Sequence, residues 1–177
     1  ISSYRDNGLY DSLSSLIKKT TGDYIAYINA GDLFNLNAFT IINEIFSDNK
    51  IKWVTGARFF YNQKNEITDF SFCYKYRQRL IKKGVYGRYL PFIQQESTFW
   101  KRELIKNIDY EYLSKLKYSG DMYLWNCFSK NNKLFTINSH LGGFKYHENQ
   151  LTYRETGNTT PYINESKKFS KKINLID

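Results

Sequence analysis

Cysteine and histidine are scarce in this sequence, two of each. Cys73 and Cys127 lie far apart, with no companion cysteine and no paired histidine at zinc spacing, so two buried free thiols in a reducing compartment are favoured over a disulfide. No apolar run approaches the length needed to span a bilayer, and no secretory signal pattern opens the chain. Acidic residues are also short: 17 Asp and Glu stand against 26 Lys and Arg, a net charge of +9. That balance favours anionic partners such as phosphates, nucleic acid or an acidic membrane surface, and names none of them. What is present is a hydrophobic fraction of 41% in 177 residues, too high for disorder and enough for the core of one domain. The first residue is Ile1 rather than Met, which raises the expectation that the sequence begins inside a larger protein.

The stretch that organises the rest is Gly22-Asp23-Tyr24-Ile25-Ala26-Tyr27-Ile28-Asn29-Ala30-Gly31-Asp32. Tyr24 to Ile28 is an unbroken apolar run, too short for a helix, and reads as a strand covered on both sides. The turn Asn29-Ala30-Gly31-Asp32 then delivers a carboxylate at the strand's carboxyl end, where ligands collect in open α/β sheets. Asp32 there is a candidate ligand for Mg²⁺ or Mn²⁺, although Asn, Gly and Asp are also ordinary turn formers.

Around it, Leu9, Leu13, Leu16 and Ile17 fall on one helical face, closed by Lys18 and Lys19, with Gly22 as a C-cap. Ala38, Ile41, Ile42, Ile45 and Phe46 define a second helix with Asn35 or Asn37 at its start. Lys52 to Phe60 reads as one strand and Ile67 to Tyr74 as its hairpin partner. The basic, Gly-interrupted segment from Lys75 to Arg88 reads as a mobile loop with one helical turn, either a solvated surface or a flap over a phosphate-bearing ligand. Residues 92–100 read as a strand or tight turn, and residues 101–108 as a short helix. Asp121 opens a helix running to Lys130, with Met122, Leu124, Trp125 and Phe128 on its buried side; it is an ordinary N-cap or a base held ionised by the helix dipole. Leu134 to Ile137 is a strand, and the two glycines of Leu141 to His147 lead into an edge strand. From Pro161 the tail is a basic amphipathic helix that packs on the domain or rests on an anionic membrane.

Five stretches in order then resemble family 2 glycosyltransferases of the GT-A fold. They are Asp6-Asn7-Gly8-Leu9-Tyr10-Asp11; Thr21 to Asp32; Gln94-Gln95-Glu96-Ser97-Thr98-Phe99-Trp100-Lys101-Arg102; Tyr118-Ser119-Gly120-Asp121-Met122-Tyr123-Leu124-Trp125; and Leu141 to Leu151. The resemblance covers roughly residues 6–152. It implies an α/β, GT-A-like (Rossmann-related) mixed sheet flanked by helices, N-terminally truncated, with residues 1–160 as a partial transferase domain and residues 161–177 as a basic tail. It further implies inverting, metal-dependent transfer of a sugar from a nucleotide diphosphate sugar to an acceptor hydroxyl, in surface polysaccharide or glycan synthesis. The acceptor would be a glycan or lipid-linked molecule, and the protein cytoplasmic, at the inner face of the membrane where the tail meets it. By the same resemblance Asp121 is the catalytic base; Asp6, Asn29, Ala30 and Asp32 contact the nucleotide sugar; Glu96 and Trp125 contact the acceptor. Asp32 and His147 hold Mn²⁺ or Mg²⁺, with Lys145 beside His147. The family pattern is broken at Ser12-Leu13-Ser14-Ser15-Leu16, which weakens a nucleotide contact from that helix. The family's first strand and the two elements after it are missing.

Two rival readings stand beside it. A nucleic-acid-binding module could use the basic segment, with Tyr76, Tyr86 and Tyr89 interleaved, to grip phosphates and stack bases. No known nucleic-acid signature accompanies it, and no nucleic-acid partner is expected. A catalytically silent GT-A-like interaction domain is the other rival.

Overall fold

The computed structural model describes residues 7–146 and 160–170. Among them the chain forms two four-stranded mixed sheets flanked by helices. Helix α1 (Leu9–Lys19) lays Tyr10, Leu13 and Ile17 against the interior, whereas Leu9 and Leu16 of the expected face are 40% and 50% exposed. Its C-cap is Thr20 rather than Gly22, with the Thr20 N–H reaching the carbonyls of Leu16 and Ile17.

The organising run is shorter than the sequence suggests. Strand β1 (Tyr24–Ile25) holds two residues, sits at the edge of the first sheet and pairs antiparallel with β6 (Thr98–Lys101). Tyr24 is 37% exposed while Ile25 is buried, so the strand is half-covered rather than enclosed on both faces. Strand β2 (Leu33–Phe34) leads to helix α2 (Ala38–Phe46), with Asn37 at its N-cap. The predicted strand from Lys52 to Phe60 divides into β3 (Trp53–Thr55) in the first sheet and β4 (Arg58–Tyr61) in the second. Strand β5 (Ile67–Ser71) returns antiparallel to β4, completing the expected hairpin. The first sheet runs β1-β6-β3-β7, with β7 (Phe135–Thr136) parallel to β3. The second runs β2-β8-β4-β5, so β8 (Gly142–Lys145) is internal and not the expected edge strand.

Side-chain alternation on β3 and β6 divides the interior in two. Trp53 and Trp100 face one side, with Trp125 and Phe128 of helix α5 (Gly120–Ser129) packed against them at centroid separations of 5.4–5.9 Å. Val54 and Phe99 face the other, against Ala38, Ile42 and Phe46 of α2 and Leu141. The basic segment holds the helical turn expected of it, helix α3 (Gln78–Lys82), but it is packed rather than free, with Ile81, Val85 and Tyr86 buried. Tyr76 and Tyr86, offered above as base-stacking rings, are 6% and 7% exposed and pack edge to face on each other. Residues 95–97 and 102–107 are 3₁₀ turns, and the short helix α4 (Tyr110–Ser114) precedes α5. Helix α6 (Thr160–Ser166) and residues 167–170 pack on the domain, burying Tyr162 and Ser166 and setting Phe169 against Tyr112 and Tyr123. Packing on the domain was one of the two placements expected for the tail. Both cysteines are free.

Candidate active site

The turn after β1 forms as expected. The Asp32 N–H donates to the Asn29 carbonyl at 3.1 Å, and Gly31 takes φ 101°. Asp32 is 8% exposed, and its Oδ1 accepts the backbone N–H of Lys145 at the end of β8, 2.9 Å away. Its other oxygen, Oδ2, is buried without a hydrogen-bond donor among the described residues, and so is Oδ1 of Asn29. The Glu96 carboxyl is a hydrogen-bonding neighbour of Asp32, so a proton on Glu96 gives that carboxylate a partner, while the buried Asn29 Oδ1 is left without one. Ala30 is exposed at the rim of the turn.

Glu96 reaches the same place from the 3₁₀ turn at residues 95–97. This turn crosses β8 so closely that a Cβ on Gly142 would lie 2.2 Å from the Glu96 carbonyl oxygen; only glycine fits. Gln95 beside it ties the turn to the first sheet, donating to the Tyr27 carbonyl and accepting from Asn29 Nδ2 at 3.3 Å. Glu96 is 4% exposed. Burial first, then the charge of Asp32, and more weakly that of Asp121, push its carboxyl up to about 8. Asp32 is itself raised by burial, against the hydrogen bonds from Lys145 and Asn29. Near neutral pH Glu96 therefore keeps a proton that an ordinary glutamate has lost.

Asp121 lies in the first turn of α5. Burial pushes its carboxyl up to about 6, opposed by the Met122 N–H at 2.7 Å and the Tyr162 hydroxyl at 3.3 Å, both donating to Oδ1. Gly120, just before it, admits the ring of Tyr10, which a Cβ there would meet at 2.2 Å. Tyr10 in turn donates from its hydroxyl to the Tyr118 carbonyl at 3.3 Å. Tyr27, which feels Tyr10, Asp121 and Glu96, stands among the three.

Asp32, Asn29 and Glu96, named from the sequence, thus come together, and Asp121 lies within electrostatic reach of Glu96. Trp125 does not join them. It is 3% exposed and stacked on Trp53 at 5.7 Å, so although it shares a helix face with Asp121 one turn earlier, its ring is spent in the core. Asp6 and His147 lie outside the described residues. Sequence reasoning missed Tyr162 and Glu165; they come from a segment with no motif, and only proximity reveals them.

The donor set bears on a metal. Among the described residues no group of three or more His, Cys, Asp or Glu side chains is placed to hold an ion. The set fits Mg²⁺ or Mn²⁺, which are held through one or two carboxylates and complete their shell with water and phosphate oxygens. Asp32 Oδ2 and Asn29 Oδ1 are the oxygens available for that.

No protein-family model matches the sequence, and no curated protein does. Among solved structures, the crystal structure of S. aureus TarS 1-349 matches with a TM-score of 0.55 at 10% identity. The match covers 78% of this chain and 40% of that one, so the chain spans less than half the length of the structure it resembles. At that identity the likeness shows a common fold and nothing further.

Proposed function

We propose that this chain transfers a sugar, with inversion, from a nucleotide diphosphate sugar to an acceptor hydroxyl. The observation that carries this reading is the gathering of Asp32, Glu96 and Asp121, brought by three separate segments, with Glu96 sensing both of the others. The fold shared with TarS, a glycosyltransferase, supports it.

In this reading Asp121 is the base. With its carboxyl at about 6 it is mostly ionised at neutral pH and still basic enough to take a proton. The acceptor O–H gives its proton to an Asp121 oxygen while the acceptor oxygen bonds to the anomeric carbon. The bond from that carbon to the diphosphate breaks, and its electron pair leaves with the nucleoside diphosphate. Mg²⁺ or Mn²⁺, when bound, would neutralise the charge on that leaving group. Asp32 and Asn29 would hold the ion, with His147 as a further ligand, and Lys145 would lie beside the diphosphate. Asn29, Ala30 and Asp6 would contact the donor. Glu96, neutral near pH 7, offers a hydrogen bond to the acceptor between the two carboxylates. A glycan or lipid-linked acceptor in polysaccharide synthesis suits this chemistry, and the basic tail suits contact with an anionic membrane at the cytoplasmic face.

Release of nucleoside diphosphate from a panel of nucleotide sugars, with Mn²⁺ present, tests the reading. Asp121→Asn is expected to keep donor binding and lower turnover by roughly 100- to 10,000-fold. Asp32→Asn is expected to abolish the Mn²⁺-dependent part of donor binding in calorimetry. Turnover at the parent rate in Asp121→Asn sinks the assignment of the base.

A further inference from the structure

The loop leading into α5 is gripped from outside by one side chain. The Glu165 carboxylate accepts the backbone N–H groups of Lys117, Tyr118 and Ser119 at 2.8, 2.8 and 2.7 Å, and the Ser119 hydroxyl at 2.9 Å. Burial pushes this carboxyl up, yet those bonds more than offset it and hold it below the usual range. The same loop is held from the opposite side, where Tyr10 donates to the Tyr118 carbonyl. The peptide units just ahead of Asp121 are therefore fixed at both their N–H and C=O ends.

Tyr162 stands three residues before Glu165, on the same face of α6. Its ring packs edge-on against Phe92 at 5.2 Å, and its hydroxyl reaches Asp121 Oδ1 at 3.3 Å. The ring also lines a small apolar hollow with Ile81, Phe92, Ile93, Met122 and Trp125. Packing alone would be met by phenylalanine there; the hydroxyl has a use only through the carboxylate it faces.

We propose that Glu165 and Tyr162 act as one positioning unit: Glu165 docks α6 on the loop before Asp121, and Tyr162 holds that carboxylate in the orientation needed to accept a proton. This rests on the transferase reading. It makes the segment after residue 160 part of the site and not an appendage. Tyr162 and Glu165 are positioning residues, acting through Asp121. The other titratable groups facing Asp121 are Tyr10 of α1, Tyr27 after β1 and Glu96 of the 95–97 turn, and none of them moves with α6.

The test is a ¹³C NMR titration of the Asp121 carboxyl in the ligand-free chain, its resonance assigned with Asp121→Asn. Tyr162→Phe is expected to raise the apparent pKa of Asp121 by roughly 0.5–1 pH unit, since it removes a hydrogen bond to the charged form. Glu165→Gln is expected to raise it too, and the double variant to go no higher than the larger single shift, because both act through one contact. Glu165→Asp, which keeps the charge, should fall between parent and Glu165→Gln. An unmoved or lowered pKa in Tyr162→Phe overturns the proposal, as do additive shifts in the double variant. The titration needs no substrate. Expected shifts without any transfer activity would sink the transferase reading, whereas transfer activity without the shifts would sink only the positioning role.

Discussion

Between the ordinary value of 4.5 for a glutamate and the value of about 8 that burial against Asp32 confers on Glu96, the folded chain holds a proton that the unfolded chain has released. A carboxyl raised on folding adds stability that is fully present below the unfolded value and is lost as pH rises through the folded one. Asp121, raised by burial to about 6, adds to the same slope in the lower part of that window. Glu96→Gln replaces the protonated acid by a neutral amide of its shape and removes its share of the slope. Its melting temperature should therefore fall less than the parent's between about pH 5 and about pH 8, by roughly 4 °C or more. Thermal melts followed by far-UV circular dichroism read this directly, and parallel declines would mean that Glu96 is already ionised in the native chain. At this scale Asp32 and Asp121 are legible in the sequence because each ends or begins an element whose pattern is clear. Tyr162 and Glu165 are not, since nothing in their neighbours marks residues that act on a loop more than forty positions earlier.

Apolar spacing predicts an element where a helical face is wide and loses its force where strands are short. Helices α2 and α5 follow their apolar spacing, α5 burying Met122, Leu124, Trp125 and Phe128 as expected, while α1 forms where expected but buries Tyr10 in place of Leu9 and Leu16. The run from Tyr24 to Ile28 suggested an enclosed strand, but apolarity alone does not distinguish two covered faces from one. Lys52 to Phe60 has no turn signal except Gly56, whose missing Cβ lets the Ser139 carbonyl approach where the chain changes sheets. The same kind of close approach holds Glu96 at the site. A Cβ at Gly142 would meet two backbone oxygens, those of Glu96 at 2.2 Å and Leu33 at 2.9 Å, neither of which can swing aside. Gly142→Ala is expected to destabilise the chain by about 2 kcal/mol or more in urea titrations. Gly120→Ala should cost less, because it meets a side chain, the Tyr10 ring, and alanine recovers up to about 1 kcal/mol of helix propensity. The reverse order would show that the 95–97 turn is not pinned on β8.

Over the whole molecule, the first sheet is the partition on which both cores depend. All three tryptophans lie in the cluster on one face, and Phe46, 1% exposed, fills the other against Val54 and Phe99. Phe46→Ala should cost about 3–5 kcal/mol. If the sheet couples the faces, tryptophan fluorescence and far-UV circular dichroism will lose the same amount of midpoint, although the tryptophans belong to the other cluster. A dichroism midpoint that falls alone would show two separately melting halves. Composition, apolar spacing and turn residues were enough to determine an α/β class, the main helices and two carboxylates at loop ends, because those features rest on local periodicity and backbone sterics. Which strands became central, how Glu96 came to lie against Asp32, and that a helix beyond residue 160 reaches Asp121 were decided only by the tertiary structure. Each depends on contacts between residues tens of positions apart, where burial and shape, rather than local pattern, choose the partner.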